Sequence, residues 1–358
     1  MAASDISRAS GPNGGSFPRL DRILTDDLIR PLIRWNSVGI PEFPMYIGGS
    51  WIYGEKTMGV DTPIDGSIFA AVPQASAAQA EAAVSAAFNA RRAIRDVPGH
   101  KRIEIFEKTA NLVREHQKSF AEALLLEAGK PHHDQQGETK AAVERLLATR
   151  AEAGHIYGDY LPGDWAADTS GKMGLVIREP IGTVAAICPF NYPLFIPTAK
   201  IAPALLAGNT VVAKSSSQTP LSLLLLARAF EAAGLPAGAL NVVTGSGGVV
   251  GEVLVGDERV RMVSFTGSTD VGKRIHAMGG LKRFHLELGG KGHSVVFDDA
   301  DVPMAAAKSV EGACKNAGQR CDAVSAVVVV DSVHDAFVEH AIRAAKSWIA
   351  GDPRNHET

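Results

Sequence analysis

Residues 183–214 run TVAAICPFNYPLFIPTAKIAPALLAGNTVVAK, and the order of apolar runs within them sets the architecture. A short run that is apolar throughout (TVAAICPF) leads to a segment with helical spacing of apolar positions (IPTAKIAPALLAG) and then to a second apolar run (NTVVAK). Strands apolar on both faces need cover on both faces, and intervening helices make the sheet parallel. The alternation continues downstream. TPLSLLLLARAFEAAG reads as a helix, ALNVVTG as a strand, GGVVGEVLVG as a helix, RVRMVSFTG as a strand and STDVGKRIHAMGG as a helix, with glycines at the helix exits. The fold class is α/β with a parallel sheet.

From Glu287 a second α/β unit begins: HSVVFDD, the helix PMAAAKSVEGACKNAG, the strand SAVVVVD and the helix HDAFVEHAIRAAKSWIAGD, ending at Thr358 without completing a domain. Upstream, SAAQAEAAVSAAFNARRA and RIEIFEKTANLVREHQKSFAEALLLEAGKP are expected to form two amphipathic helices, the second stopping at Gly129 and Pro131. A third helix is expected from Glu138 to about Gly154. DYLPGDWAADTSGKMGLVIREP, punctuated by Pro, Gly and Asp, is expected to be a β-arm. Residues 1 to about 20 are rich in Ser, Gly, Ala and Pro and read as a flexible tail, with the lead-in running to residue 44.

A chain of 358 residues exceeds what one core normally serves, so two or more domains are expected. With 36 basic and 39 acidic residues and no polybasic stripe, nucleic acid is not a predicted partner. The longest aliphatic stretch, Leu223 to Ala227, is too short to span a bilayer, and the N-terminus lacks the apolar segment of a secretory signal. Cys188, Cys314 and Cys321 form neither an even disulfide framework nor a zinc-type spacing, which points to a reducing compartment, the cytoplasm. The eleven histidines show no metal-ligand spacing, and His132 with His133 reads as a solvated loop.

Ligands of open α/β sheets bind beyond the carboxyl ends of the strands. CPFNYP, KSSSQTP, TGSGGVVG and FTGSTDVG lie at such ends, although glycine-rich turns are equally at home as plain structure. Lys214 ends a strand, where its ammonium could reach ribose hydroxyls or a phosphate, or simply meet solvent. Asn191 could donate its amide to a developing oxyanion, or form an ordinary Asn–aromatic–Pro turn. Cys188 and Cys314 lie in apolar surroundings and read as packing residues. Cys321 closes KNAGQRC, a helix-like run ending in a polar turn, where Arg320 would favour a thiolate; a structural cysteine is the alternative. Glu287, in FHLELGGKGH, is a carboxylate suited to activating a water once Cys321 has formed a thioester.

Taken together and in order, EPIGTVAAICPFNYP, KIAPALLAGNTVVAKSSSQTP, AGLPAGALNVVTG, SFTGSTDVG, LELGGK and NAGQRC resemble the aldehyde dehydrogenase superfamily, from about residue 45 to the C-terminus. The resemblance implies a Rossmann-like NAD(P)-binding domain over 45–155 and 179–286, an oligomerisation β-arm over 156–178 and part of an α/β catalytic domain over 287–358. It implies Cys321 as nucleophile, Glu287 as the base for deacylation and Asn191 as oxyanion donor together with the Cys321 N–H. For the cofactor it implies Lys214, Ser217, Gly247, Gly251, Phe265, Thr266, Gly267, Ser268, Leu288 and Gly289. DVPGHKR, EAGKP, GETKAAVERL, GDYLPGDW, PFNYPLF and AGQRCDA are most similar to archaeal-type non-phosphorylating glyceraldehyde-3-phosphate dehydrogenases. Arg320 and Tyr192 would then line a pocket for a phosphorylated or otherwise anionic aldehyde. Bacterial and plant enzymes of that activity carry a further Arg on the helix read here as KAAVERL, where Ala141 stands.

Many NAD-preferring relatives carry a Glu three residues after the strand-end Lys, and here that position is Ser217. A small neutral side chain leaves room for a 2′-phosphate, so NADP is the expected cofactor, with NAD possible. The family's usual text runs beyond WIAGDPRNHET to a Glu-x-Phe motif and a strand that pairs between subunits. The chain is therefore expected to be C-terminally truncated, and the full-length form to be a homodimer or homotetramer. The competing expectations are another semialdehyde or small-aldehyde dehydrogenase, a catalytically silent nucleotide-binding fragment and, without paired cysteines to support it, a redox protein.

Overall fold

The computed structural model describes residues 20–358; the expected flexible tail lies outside the described residues. Its centre is a seven-stranded sheet in the order Arg283–Glu287, Val260–Thr266, Thr183–Ile187, Thr210–Lys214, Leu240–Val243, Met45–Ile47 and Ser50–Ile52. The first five are parallel, and Met45–Ile47 joins antiparallel. Thr183–Ile187, Thr210–Lys214 and Leu240–Val243 are buried at every position, as runs covered on both faces must be. The strand order reverses between Thr183–Ile187 and Val260–Thr266. In such a sheet the crevice beyond that pair is where a ligand sits.

Helices Ala77–Arg95, Phe195–Leu206 and Leu221–Ala232 pack on the sheet, and Gly99–Glu115, Gln117–Ala128 and His132–Ala151 form a further layer against the latter two. The single helix expected over 102–131 is divided at His116, whose backbone leaves the helical region (φ −96°, ψ 18°). The division has a tertiary cause: Asp26 binds His116 Nδ1 at 3.0 Å and accepts from Ser119 Oγ at 2.5 Å. The lead-in is thus part of the core, contributing Leu20, Ile23, Ile29 and Phe43. The helix expected from Glu138 starts at His132, directly after Pro131, so His132 and His133 form its first turn rather than a loop.

Asp159–Pro162 and Met173–Val176 pair as an antiparallel hairpin that exposes Tyr157, Tyr160, Leu161, Trp165, Met173 and Leu175. The second unit pairs Gly292–Val296 with Val324–Val329 in parallel and covers them with Val302–Cys314 and Asp331–Lys346 around Val296, Ala306 and Phe337. Among the described residues no helix is long and apolar enough to cross a membrane.

Candidate active site

Strand register assembles one edge of the site. Lys214 lies opposite Ile187, Ile187 opposite Phe265, and Thr266 opposite Glu287, so the carboxyl ends of four strands form a single row. The N–H of Gly267 donates to the carbonyl of Glu287 at 3.1 Å, tying two of the expected segments together. Asn191 stands in the turn that follows the Thr183–Ile187 strand.

The loop bearing Cys321 is not the helix-like run expected. Asn316, Ala317 and Gly318 hold φ of 54°, 53° and 74°, a left-handed path that turns the chain sharply after the Val302–Cys314 helix. Asn316 Nδ2 donates to the carbonyl of Asn191 at 3.2 Å, and Asn191 Nδ2 donates to the carbonyl of Gln319 at 2.8 Å. A Cβ at Gly290 would lie 3.1 Å from the carbonyl oxygen of Cys321, so the turn after Glu287 runs against the same loop. Two distant segments therefore converge on the Cys321 loop. Its thiol is exposed, and its N–H makes no hydrogen bond among the described residues. An amide carries two N–H groups, so Asn191 can hold Gln319 with one and offer the other to an oxyanion beside the Cys321 N–H.

Arg320, which precedes Cys321, is paired with a carboxylate. Its guanidinium binds Asp322 Oδ2 at 2.6 Å, so its charge is shared with a neighbouring carboxylate. Burial pushes the Tyr192 phenol up to about 12, and Arg320 is near enough to oppose that shift. Lys130 Nζ sits 3.8 Å from the centre of the Tyr192 ring and 2.9 Å from Glu138 Oε2. Glu138 Oε1 in turn accepts from the N–H groups of Leu194 and Phe195 at 2.9 and 3.0 Å. This buried Lys130–Glu138 pair fixes Tyr192 from beneath. Both residues stand in the motifs EAGKP and GETKAAVERL without a role assigned from sequence; the signal there is a Lys and a Glu on either side of a helix-starting proline.

On the cofactor side Lys214 is buried, which excludes the solvated strand end, and its Nζ donates to the Ser215 carbonyl at 2.9 Å. Burial pulls its ammonium below the usual lysine range. Ser217 Oγ donates to the Gly245 carbonyl at 3.1 Å. Ser215 Oγ, Thr219 Oγ1 and Thr266 Oγ1 are buried without a hydrogen-bond partner, so polar groups around these strand ends await one. A Cβ at Gly267 would come within 2.5 Å of the buried Phe265 ring, and Ser268 caps the Thr269–Gly279 helix by accepting from Val271 N–H at 3.4 Å. Gly247 and Gly251 bound a wide helical turn and, like Gly289, face open space, whereas the Leu288 side chain packs over Gly272. With no carboxylate in residues 215–218, this edge suits a phosphorylated dinucleotide. Lys214 and Ser217 would meet its ribose end, and Thr266 to Ser268 its pyrophosphate. Cys188 is buried, and its thiol is pushed up to about 12 by that burial; Cys314 is half-buried.

Residues 51–358 match the sequence profile of the aldehyde dehydrogenase family. The NADP(+) succinate-semialdehyde dehydrogenase GabD of Escherichia coli is 39% identical over 86% of this chain and 64% of its own length. An NADP-dependent glyceraldehyde-3-phosphate dehydrogenase of Streptococcus equinus is 35% identical over 88% of this chain and 66% of its own. The crystal structure of the NADP-dependent glyceraldehyde-3-phosphate dehydrogenase from Bacillus halodurans, complexed with NADP, superposes with a TM-score of 0.85 at 35% identity, covering 88% of this chain and 66% of that one. The chain thus spans a little under two thirds of the length of these relatives.

Proposed function

This chain belongs to the aldehyde dehydrogenase family, and from that premise we propose that it oxidises an anionic aldehyde to its carboxylic acid, with NADP as hydride acceptor. The observation that carries the reading is the convergence of the Asn191 turn and the Glu287–Gly290 turn on the Cys321 loop. Cys321 Sγ, reacting as the thiolate, forms a bond to the aldehyde carbon as the carbonyl π bond opens, and the oxygen takes up the charge facing the free Asn191 N–H and the Cys321 N–H. NADP supplies the acceptor for the hydride that leaves the resulting thiohemiacetal. The acyl group then remains on sulfur as a thioester. Glu287 takes a proton from the water that attacks it, the C–S bond breaks and the acid departs.

Arg320 and Tyr192 beside Cys321 favour an anionic substrate, and the subgroup motifs favour glyceraldehyde 3-phosphate, oxidised to 3-phosphoglycerate without phosphorylation. A dicarboxylic semialdehyde is the second reading, favoured by the relative that acts on succinate semialdehyde. Ser217 and the NADP-dependent relatives support NADP over NAD. The apolar hairpin supports assembly into a homodimer or homotetramer in the full-length form, and the free cysteines support the cytoplasm.

The test is NADP reduction followed by absorbance with glyceraldehyde 3-phosphate, succinate semialdehyde and an unphosphorylated aldehyde, on this chain and on Cys321→Ala. Turnover is expected with the anionic aldehydes and from the unsubstituted chain alone. Equal rates from both proteins would discard Cys321 as nucleophile.

A further inference from the structure

Beneath Glu287 lies a line of side chains that the reaction as described does not use. Lys200, on the Phe195–Leu206 helix, places Nζ 3.1 Å from Ser264 Oγ; Ser264 Oγ lies 3.2 Å from His285 Nδ1; and His285 Nε2 lies 3.1 Å from Glu287 Oε1. Register makes the line possible. Ser264 and His285 are opposite one another on neighbouring strands, and His285 and Glu287, two residues apart, share a face. Lys200 and Ser264 are buried, while His285 and Glu287 are exposed.

The direction of the line follows from its carboxylate end. An ionised Glu287 can only accept, so His285 Nε2 carries the proton toward it, and in a neutral ring Nδ1 is then the bare nitrogen. Ser264 accordingly donates its O–H to Nδ1 while its oxygen accepts from Lys200 Nζ. We infer that His285 is a positioning residue for Glu287, a neutral imidazole locked by Ser264 and Lys200 in the Nε2–H form that holds one carboxylate oxygen and leaves the other to take a proton from water. The inference rests on the reading of Glu287 as the deacylation base. An exposed His–Glu pair by itself would be weak and mobile. Here the buried end of the line engages the far ring nitrogen and holds the ring's orientation, as such a partner does for other functional histidines.

Two measurements test it on the unsubstituted chain, His285→Gln and His285→Phe. Rapid mixing with NADP and aldehyde separates the first burst of NADPH, which needs Cys321 but not Glu287, from the steady rate, which needs deacylation. His285→Phe is expected to keep its burst while the steady rate falls about tenfold or more, and His285→Gln, which restores a donor toward Glu287, to recover most of that loss. An unchanged steady rate in His285→Phe, or equal loss of burst and steady rate, overturns the inference. Independently of turnover, 15N NMR of the imidazoles, assigned by the signals missing from His285→Gln, should show His285 protonated on Nε2 at pH 8. The Nδ1–H form overturns it as well. A chain that shows the expected tautomer yet gives no burst sinks the aldehyde-oxidation reading, and the base-positioning role with it, while leaving the hydrogen-bond line intact.

Discussion

Asn191 donates its side-chain amide to the carbonyl of Gln319 at 2.8 Å, and Asn316 returns the contact by donating to the carbonyl of Asn191 at 3.2 Å. The two bonds clamp the turn after the central strand to the loop that carries Cys321. They place the proposed oxyanion donor and the proposed nucleophile on one rigid connection, without relying on substrate to gather them. Replacing Asn191 with Ala removes the donor and half of the clamp. In the NADP-reduction assay kcat/KM should fall by about 10²- to 10³-fold, with the far-ultraviolet circular dichroism unchanged. A loss of less than about tenfold would take Asn191 out of the oxyanion role.

Gly267 has an ordinary backbone conformation, and its small size is demanded by a neighbour. A Cβ there would meet Phe265 Cζ at 2.5 Å, and the ring is buried with nowhere to retreat. Gly267→Ala should lower stability by about 1–3 kcal/mol in urea denaturation and weaken NADP binding, because the turn is displaced from the strand ends. Adding Phe265→Leu should restore much of the stability, since the clash is pairwise. If the double variant is no better than the single one, the Phe265 ring is not the cause.

The parallel sheet was legible because TVAAI, TVVAK and LNVV are apolar at consecutive positions, a pattern set by burial on both faces. The motifs named the chemistry, but their geometry depends on contacts that sequence spacing does not encode. The break at His116 is made by Asp26, far upstream, and no local signal in REHQKSF announces it. Ala317 takes a left-handed conformation that its residue type disfavours, so KNAGQRC reads as helix until the loop is seen clamped to Asn191. Arg320 faces Asp322 as well as Tyr192, which a reading of neighbouring charge toward Cys321 alone overlooks. Lys130 with Glu138, and Lys200 with Ser264 and His285, are cross-element pairings, visible only once helices and strands have been placed.

Glu127 is fully buried at the start of the Leu221–Ala232 helix, where it accepts from the N–H groups of Leu221 and Ser222 and from the Ser222 hydroxyl. Burial pushes its carboxyl up to about 7 from the ordinary 4.5, against the pull of those donors. Between these two values the folded chain keeps a proton that the unfolded chain has lost. Stability therefore declines as pH rises through that window, by at most about 3 kcal/mol from this group. Glu122, pushed up to about 7 mainly by burial, acts in the same direction. Melting temperature should fall from pH 5 to pH 7.5, and the fall should be shallower in Glu127→Gln, whose side chain does not titrate. Parallel slopes for the two proteins would show that Glu127 is ionised throughout.

Ser217 donates to the carbonyl of Gly245, at the edge where Lys214 ends its strand and the Gly247–Gly251 turn begins. Its proposed part in cofactor choice lies in what it lacks, a charge. Ser217→Glu would set a carboxylate where the 2′-phosphate of NADP is proposed to lie, while giving the 2′-hydroxyl of NAD an acceptor. The ratio of kcat/KM for NADP over NAD should drop by about 10- to 100-fold, each tenfold step corresponding to about 1.4 kcal/mol. Ser217→Ala separates the two properties of the position. It loses the hydrogen bond to Gly245, at about 1 kcal/mol of stability, yet adds no charge, so its cofactor ratio should stay near that of the unsubstituted chain. Were Ser217→Ala to shift the ratio as far as Ser217→Glu, the preference would come from the shape of the turn held by Gly245. Charge at residue 217 would then have no part in it.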